Sequence, residues 1–196
     1  MNFSFALLHG WSRGRKGEAT SGGESLLPHQ LLLLFSDGSL TTHLEAIYDC
    51  DLAVEISEHG SPRIDEGDGR FLGAAPGAEA VVRGAWLKAA GERLVYAKTL
   101  LLTEGLDEEL VRDVATVEVP LGRLLARSHP FSRKKNLECA VATSPVVAGA
   151  LSLPEETPFW IRRYLLEARA AEGAESLRAM VTELFTPGLM GTPLAR

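Results

Sequence analysis

Two pairs of alternating apolar stretches, each pair joined by a short turn-forming segment, constrain this chain more than anything else in it. Residues 81–88 and 93–102 flank Ala89-Ala90-Gly91-Glu92, and residues 158–168 and 178–186 flank the Ala-, Glu- and Gly-rich segment 170–175. Strands that turn straight back on themselves pair antiparallel, so the spacing predicts two hairpins. Further strands are expected over 51–58 and 133–143, and helices over 24–35, 39–48 (N-cap Ser39), 104–114 (N-cap Thr103) and 120–125. Strands linked mainly by hairpins, with helices grouped between them, predict a single α+β domain on one antiparallel sheet. Residues 60–77 and 144–157 read as loops, the first a surface loop or a flap over a site.

The last strand carries an anomaly. Read with period two, Val181, Glu183 and Phe185 share a face, so a carboxylate sits between two large apolar side chains. A carboxylate there is costly unless it is paired or used. Arg83 shares a strand face with Val81, Ala85 and Leu87, which makes it the expected partner, either as a structural ion pair or as half of a site for an anionic ligand.

Several classes are disfavoured. The formal net charge of −6 opposes binding to phosphate backbones, and the apolar run 31–35 is too short to span a bilayer. No nucleotide-binding glycine motif, metal-ligand spacing or nucleophile elbow occurs, and the five histidines are scattered. Cys50 and Cys139 form no ligand set and suit reduced thiols in a cytoplasmic protein, with a disulfide left open. Residues 1–23 read as a mobile N-terminal arm, 24–190 as the domain and 191–196 as a tail. Ser39 and Pro120 start helices, leaving the N–H groups of Leu40, Thr41 and Leu121 without intrahelical acceptors and open to an anion. An Arg, a Glu and two helix starts suit a small acid bearing a carboxylate and a hydroxyl, with no metal and no cofactor.

Four motifs in order, Ser39-Leu40-Thr41-x-x-Leu44-Glu45, Val82-Arg83-x-x-x-Leu87-x-x-x-Gly91 continuing to Ala97-x-Thr99, Pro120-Leu121-Gly122-Arg123-x-Leu125 and Thr182-Glu183-Leu184-Phe185-x-Pro187, resemble chorismate lyase over residues 26–189. The resemblance implies a monomer with a six-stranded antiparallel sheet and an enclosed pocket. It also implies conversion of chorismate to 4-hydroxybenzoate and pyruvate, the step that opens ubiquinone biosynthesis. Carried over, it puts the carboxylate-binding arginine on Arg83, the glutamate facing the ring hydroxyl on Glu183, and the two backbone amide donors on Leu40 and Leu121. Arg163, Arg123 and Lys98 are candidates for the substrate's second carboxylate. The alternatives are a non-catalytic small-acid-binding domain of the same fold, such as a transcription regulator's effector domain, and a lyase acting on another chorismate-like acid.

Overall fold

The structure is a computed structural model and describes residues 3–13, 26–126, 128–169 and 176–193. Seven strands form one antiparallel sheet: β1 (Ala6–Leu7), β2 (Ala53–Gly60), β3 (Ala80–Ala89), β4 (Glu92–Leu102), β5 (Phe131–Thr143), β6 (Pro158–Arg169) and β7 (Ser176–Phe185). Their order across the sheet is β1-β5-β6-β7-β4-β3-β2, so β3–β4 and β6–β7 are the two expected hairpins and β7 lies at the centre. The β3–β4 turn is tight because Ala90 and Gly91 both adopt positive φ (48° and 85°), the two-residue geometry that matches the twist of the flanking strands. The 170–175 segment between β6 and β7 lies outside the described residues.

Seven helices complete the described fold: α1 (Pro28–Phe35), α2 (Leu40–Tyr48), α3 (Glu66–Leu72), α4 (Glu108–Thr116), α5 (Leu121–Leu125), α6 (Pro145–Ala150) and α7 (Pro187–Met190). Alternation divides the sheet into two apolar faces. On one face a row of directly opposed residues, Val141, Trp160, Phe185, Val95, Leu87 and Val54, packs under α1 and α2, while Val81, Leu101, Tyr164 and Leu166 pack under α4 and α5. Between these two blocks the helices leave a cavity. The other face buries Trp86, Tyr96, Phe159, Ile161 and Leu184 under α6 and residues 3–11, and Val82, Leu100 and Leu165 under α3.

Four expectations need correction. The 60–77 segment contains α3, capped by Asp65, whose side chain accepts from Asp68 N at 2.8 Å; α3 packs on the face away from the cavity, so it is no flap. The 144–157 segment contains α6, started by Ser144 and Pro145, whose apolar Val147 and Ala148 are buried. Helix α4 is capped by Asp107, whose side chain accepts from two main-chain N–H groups, rather than by Thr103. Finally, residues 3–13 of the arm expected as mobile lie on the sheet: Ala6 and Leu7 pair with Thr143 and Ala142, and Ser12 bridges to Cys139. Phe3 drives this, burying its ring against Tyr96 at 4.9 Å while its N–H donates to the buried Glu58 at 3.1 Å. Residues 14–25 and 194–196 lie outside the described residues.

Candidate active site

Glu183 is buried, 5% exposed, on the cavity face of β7. Its partner is Arg162, not Arg83. Register explains the difference. Arg162, Glu183, Ala97 and Ala85 form one row across β6, β7, β4 and β3, so Arg162 stands directly opposite Glu183, at the closest cross-strand approach. Arg83 lies on β3, in the next row with Thr99, Val181 and Tyr164, two strand spacings or about 10 Å away from β7.

Arg162 Nε donates to Glu183 Oε2, and Tyr164 Oη donates to Glu183 Oε1 at 3.1 Å, so both carboxylate oxygens are engaged. Burial, then the charge of Glu183, pushes the Tyr164 phenol well above its usual range, which keeps it a neutral donor. Arg162 Nη1 donates to the carbonyls of Leu33 and of Ser36 (3.2 Å), tying the C-terminal end of α1 to the pair. Sequence reasoning missed Arg162. The signal was present, because Trp160, Arg162, Tyr164 and Leu166 alternate on one face as the residues around Arg83 do.

Arg83, 4% exposed, is held by Nη2, which donates to the carbonyls of Val119 at 2.7 Å and Val117 at 3.1 Å in the α4–α5 connection. No carboxylate pairs with it in the described residues, and its Nε is buried without a partner. Burial lowers its pKa, but an arginine stays protonated. Since Nη2 is committed to main chain, a ligand carboxylate is left with Nε and Nη1.

Leu40 and Leu121 are the first residues of α2 and α5, and both line the cavity beside Arg83. Ser39 Oγ accepts from Thr42 N at 3.3 Å, which fixes the α2 start. The cavity, about 320 Å³, brings together all four residues the sequence singled out. Its floor between Arg83 and Glu183 is Ala85, Ala97 and Thr99, short side chains that leave room for a ring between the two charged ends.

Among the three expected cations for a second carboxylate, only Arg123 lines this cavity, and its Nη2 is spent on Glu45 at 2.6 and 2.7 Å. Arg163 pairs with Glu138, and Lys98 sits beside Phe3 and Glu58 on the other face. Lys134, near the start of the strand expected over 133–143 and not among the cations the sequence singled out, lies in the cavity wall. Its Nζ donates to Gly38 O at 2.6 Å and lies 4.7 Å from the centre of the Tyr164 ring. A β-bulge at Asn136 (φ 52°) inverts the alternation, so Lys134 and Cys139 share a face although their separation is odd. Strict alternation back from Cys139 would have turned Lys134 outward. Cys139 and Cys50 are free thiols.

With a buried cation, a braced carboxylate, two helix starts and an apolar wall, the cavity suits a small organic acid with an apolar body. Residues 34–191 match the family described as Chorismate pyruvate-lyase Rv2949c-like. The chain belongs to that family. The matched span contains Leu40, Arg83, Leu121, Lys134, Arg162 and Glu183, so the whole cavity is family territory and residues 3–13 lie outside it. A curated relative in Pseudomonas putida, "Probable chorismate pyruvate-lyase", is 28% identical over 156 residues, 80% of each chain.

The family fold is shared more widely. The effector domain of PhnF from Mycobacterium smegmatis superposes with a TM-score of 0.58 at 15% identity, covering 77% of this chain and 90% of that one. Full-length PhnF gives 0.58 at 14% identity over 79% of this chain and 67% of that one. At these identities the likeness is one of fold. No helix among the described residues is long and apolar enough to cross a membrane.

Proposed function

We propose that the cavity converts chorismate to 4-hydroxybenzoate and pyruvate without a cofactor. The observation that carries this reading is the convergence of Arg83, with its unpartnered buried Nε, Glu183 and the first residues of α2 and α5 on one cavity. The ring carboxylate would meet Arg83 and the Leu40 and Leu121 amides, and the C4 hydroxyl would donate to Glu183. The C3–O bond breaks, the C4 hydrogen leaves, and the enolpyruvyl fragment gains a proton at its methylene to become pyruvate as the ring becomes aromatic. The substrate supplies the driving force, so the protein's part is to hold one conformer and steady developing charge. Glu183, braced at both oxygens, suits a fixed acceptor for the hydroxyl, with Arg83 anchoring the opposite end of the ring.

On this reading the enzyme works as a cytoplasmic monomer, and its product feeds ubiquinone or a related quinone. The test mixes purified protein with chorismate, without metal or nucleotide, and separates the products by chromatography. Equal amounts of 4-hydroxybenzoate and pyruvate above the spontaneous rate are expected. The fold shared with the PhnF effector domain favours a second reading, a domain that binds a small acid without turning it over. Tight 4-hydroxybenzoate binding with no turnover selects that one.

A further inference from the structure

We propose that Lys134 is the second carboxylate-binding group of the cavity and receives the enolpyruvyl carboxylate while Arg83 holds the ring carboxylate. The proposal rests on the lyase reading above and adds to it the residue that tells the dianionic substrate from its monoanionic product.

Four cationic side chains of the described residues line the cavity: Arg83, Arg123, Arg133 and Lys134. Arg123 is occupied by Glu45, and Arg133 by Glu167 at 3.0 and 3.2 Å with its side chain 62% exposed. Lys134 forms no ion pair within the described residues. It spends one donor on the Gly38 carbonyl, and its ammonium keeps two more.

Its location agrees with the substrate's shape. The ammonium lies against the ring of Tyr164, and the hydroxyl of that ring reaches Glu183, which places Lys134 at the Glu183 end of the cavity. In chorismate the ether carbon adjoins the carbon bearing the hydroxyl. A ligand with its ring carboxylate at Arg83 and its hydroxyl at Glu183 therefore carries its enolpyruvyl group to that same end. Glu183 forms no ion pair with Lys134: its two oxygens are directed to Arg162 and Tyr164, and it acts on the ammonium only through space.

Surroundings make this cation responsive to pH. Facing it are Arg162 and Tyr164 from β6, Glu183 from β7, Asp37 from the turn before α2, and His43 from α2. Burial pushes the ammonium down to about 8, with Arg162 acting in the same direction and Glu183 and Asp37 against it. A bound carboxylate holds the proton on, so affinity for a dianion falls as pH rises past that value.

The experiment compares the full chain with Lys134→Met and Lys134→Arg, measuring KM for chorismate by product formation and Kd for 4-hydroxybenzoate by calorimetry. Loss of one charge-assisted hydrogen bond should raise the chorismate KM of Lys134→Met about 10- to 100-fold. The 4-hydroxybenzoate Kd should stay within about twofold, because the product has lost the second carboxylate. Lys134→Arg should recover much of the chorismate affinity. The native KM should climb above about pH 8 and that of Lys134→Met should not. Equal weakening of both ligands in Lys134→Met would mark a structural role and overturn the proposal, as would an unchanged chorismate KM. If the native protein turns over no chorismate, the lyase reading fails by itself. Chorismate and 4-hydroxybenzoate affinities measured by calorimetry then decide the Lys134 assignment, and an unchanged ratio between native protein and Lys134→Met refutes it.

Discussion

Replacing Arg162 by Met should be among the most destabilising single changes in this chain. Arg162 is 1% exposed and has three tasks: it neutralises Glu183, fixes Oε2 of that carboxylate, and satisfies the end carbonyls of α1. Removing one partner of a buried pair leaves the other charge uncompensated, at about 3–5 kcal/mol. Two main-chain acceptors also lose their donor, at about 1 kcal/mol each. Tyr164 still donates to Glu183 and water can enter from the cavity, which offsets part of this, so the net loss should be about 4 kcal/mol. For a domain of this size that lowers the melting temperature by ~8–16 °C. Thermal unfolding followed by circular dichroism at pH 7 measures it. The double variant Arg162→Met/Glu183→Leu should melt above the single variant, because no orphaned charge remains. A single variant melting within about 3 °C of the native protein, or a double variant below it, would refute the buried-pair account.

Other outcomes follow from the same geometry. Glu183→Gln should stay folded yet melt several degrees lower, and should lose at least about 100-fold in kcat, while Arg83→Ala should chiefly weaken 4-hydroxybenzoate binding, by about 10- to 100-fold in a calorimetric titration. Full turnover by Glu183→Gln would leave the reaction to a cyclic transfer within the substrate. Gly84 sits where an added Cβ would lie 2.2 Å from Tyr96 Oη and 2.9 Å from Glu58 Cβ, so Gly84→Ala should cost about 1–3 kcal/mol in denaturant titration, and Tyr96→Phe in the same chain should return part of it. Lys134 has a folded pKa of about 8, below its unfolded value, so between about pH 8 and 10.5 the unfolded chain binds more protons at this site. The native protein should therefore gain stability relative to Lys134→Met as pH rises through that window, and melting curves in parallel at pH 7 and 9.5 check the sign.

Much of the site was legible before any coordinates. Ser39 and Pro120 mark the starts of α2 and α5 by local chemistry alone, and both starts line the cavity. Glu183 and Arg83 stood out because a charge inside an alternating apolar strand breaks its own pattern. Arg162 breaks the pattern in the same way, but pairing Glu183 with Arg83 had already met the demand for a cation, and only register could show which arginine stands opposite. The short helices α3 and α6 went unread because their segments carry interspersed Gly and Pro and are too short for helical periodicity, while a cap and two buried residues suffice to form each. The binding of residues 3–13 to the sheet depends on Phe3 and on Glu58, 55 positions away, which no local pattern links.

Local pattern alone reveals six of the seven strands, the starts of α2 and α5, which strands fold back on their neighbours, and which faces carry a misplaced charge. Each of these depends on residues a few positions apart, where sterics and capping act directly. Tertiary structure decided strand order, register and the bulge at Asn136. These set Arg162 against Glu183, leave Arg83 without a carboxylate partner among the described residues, two strands away across a floor of small residues, and turn Lys134 inward. Such pairings are chosen by how both faces of the whole sheet bury at once, and a shift of one residue in register would send every charge to the opposite face.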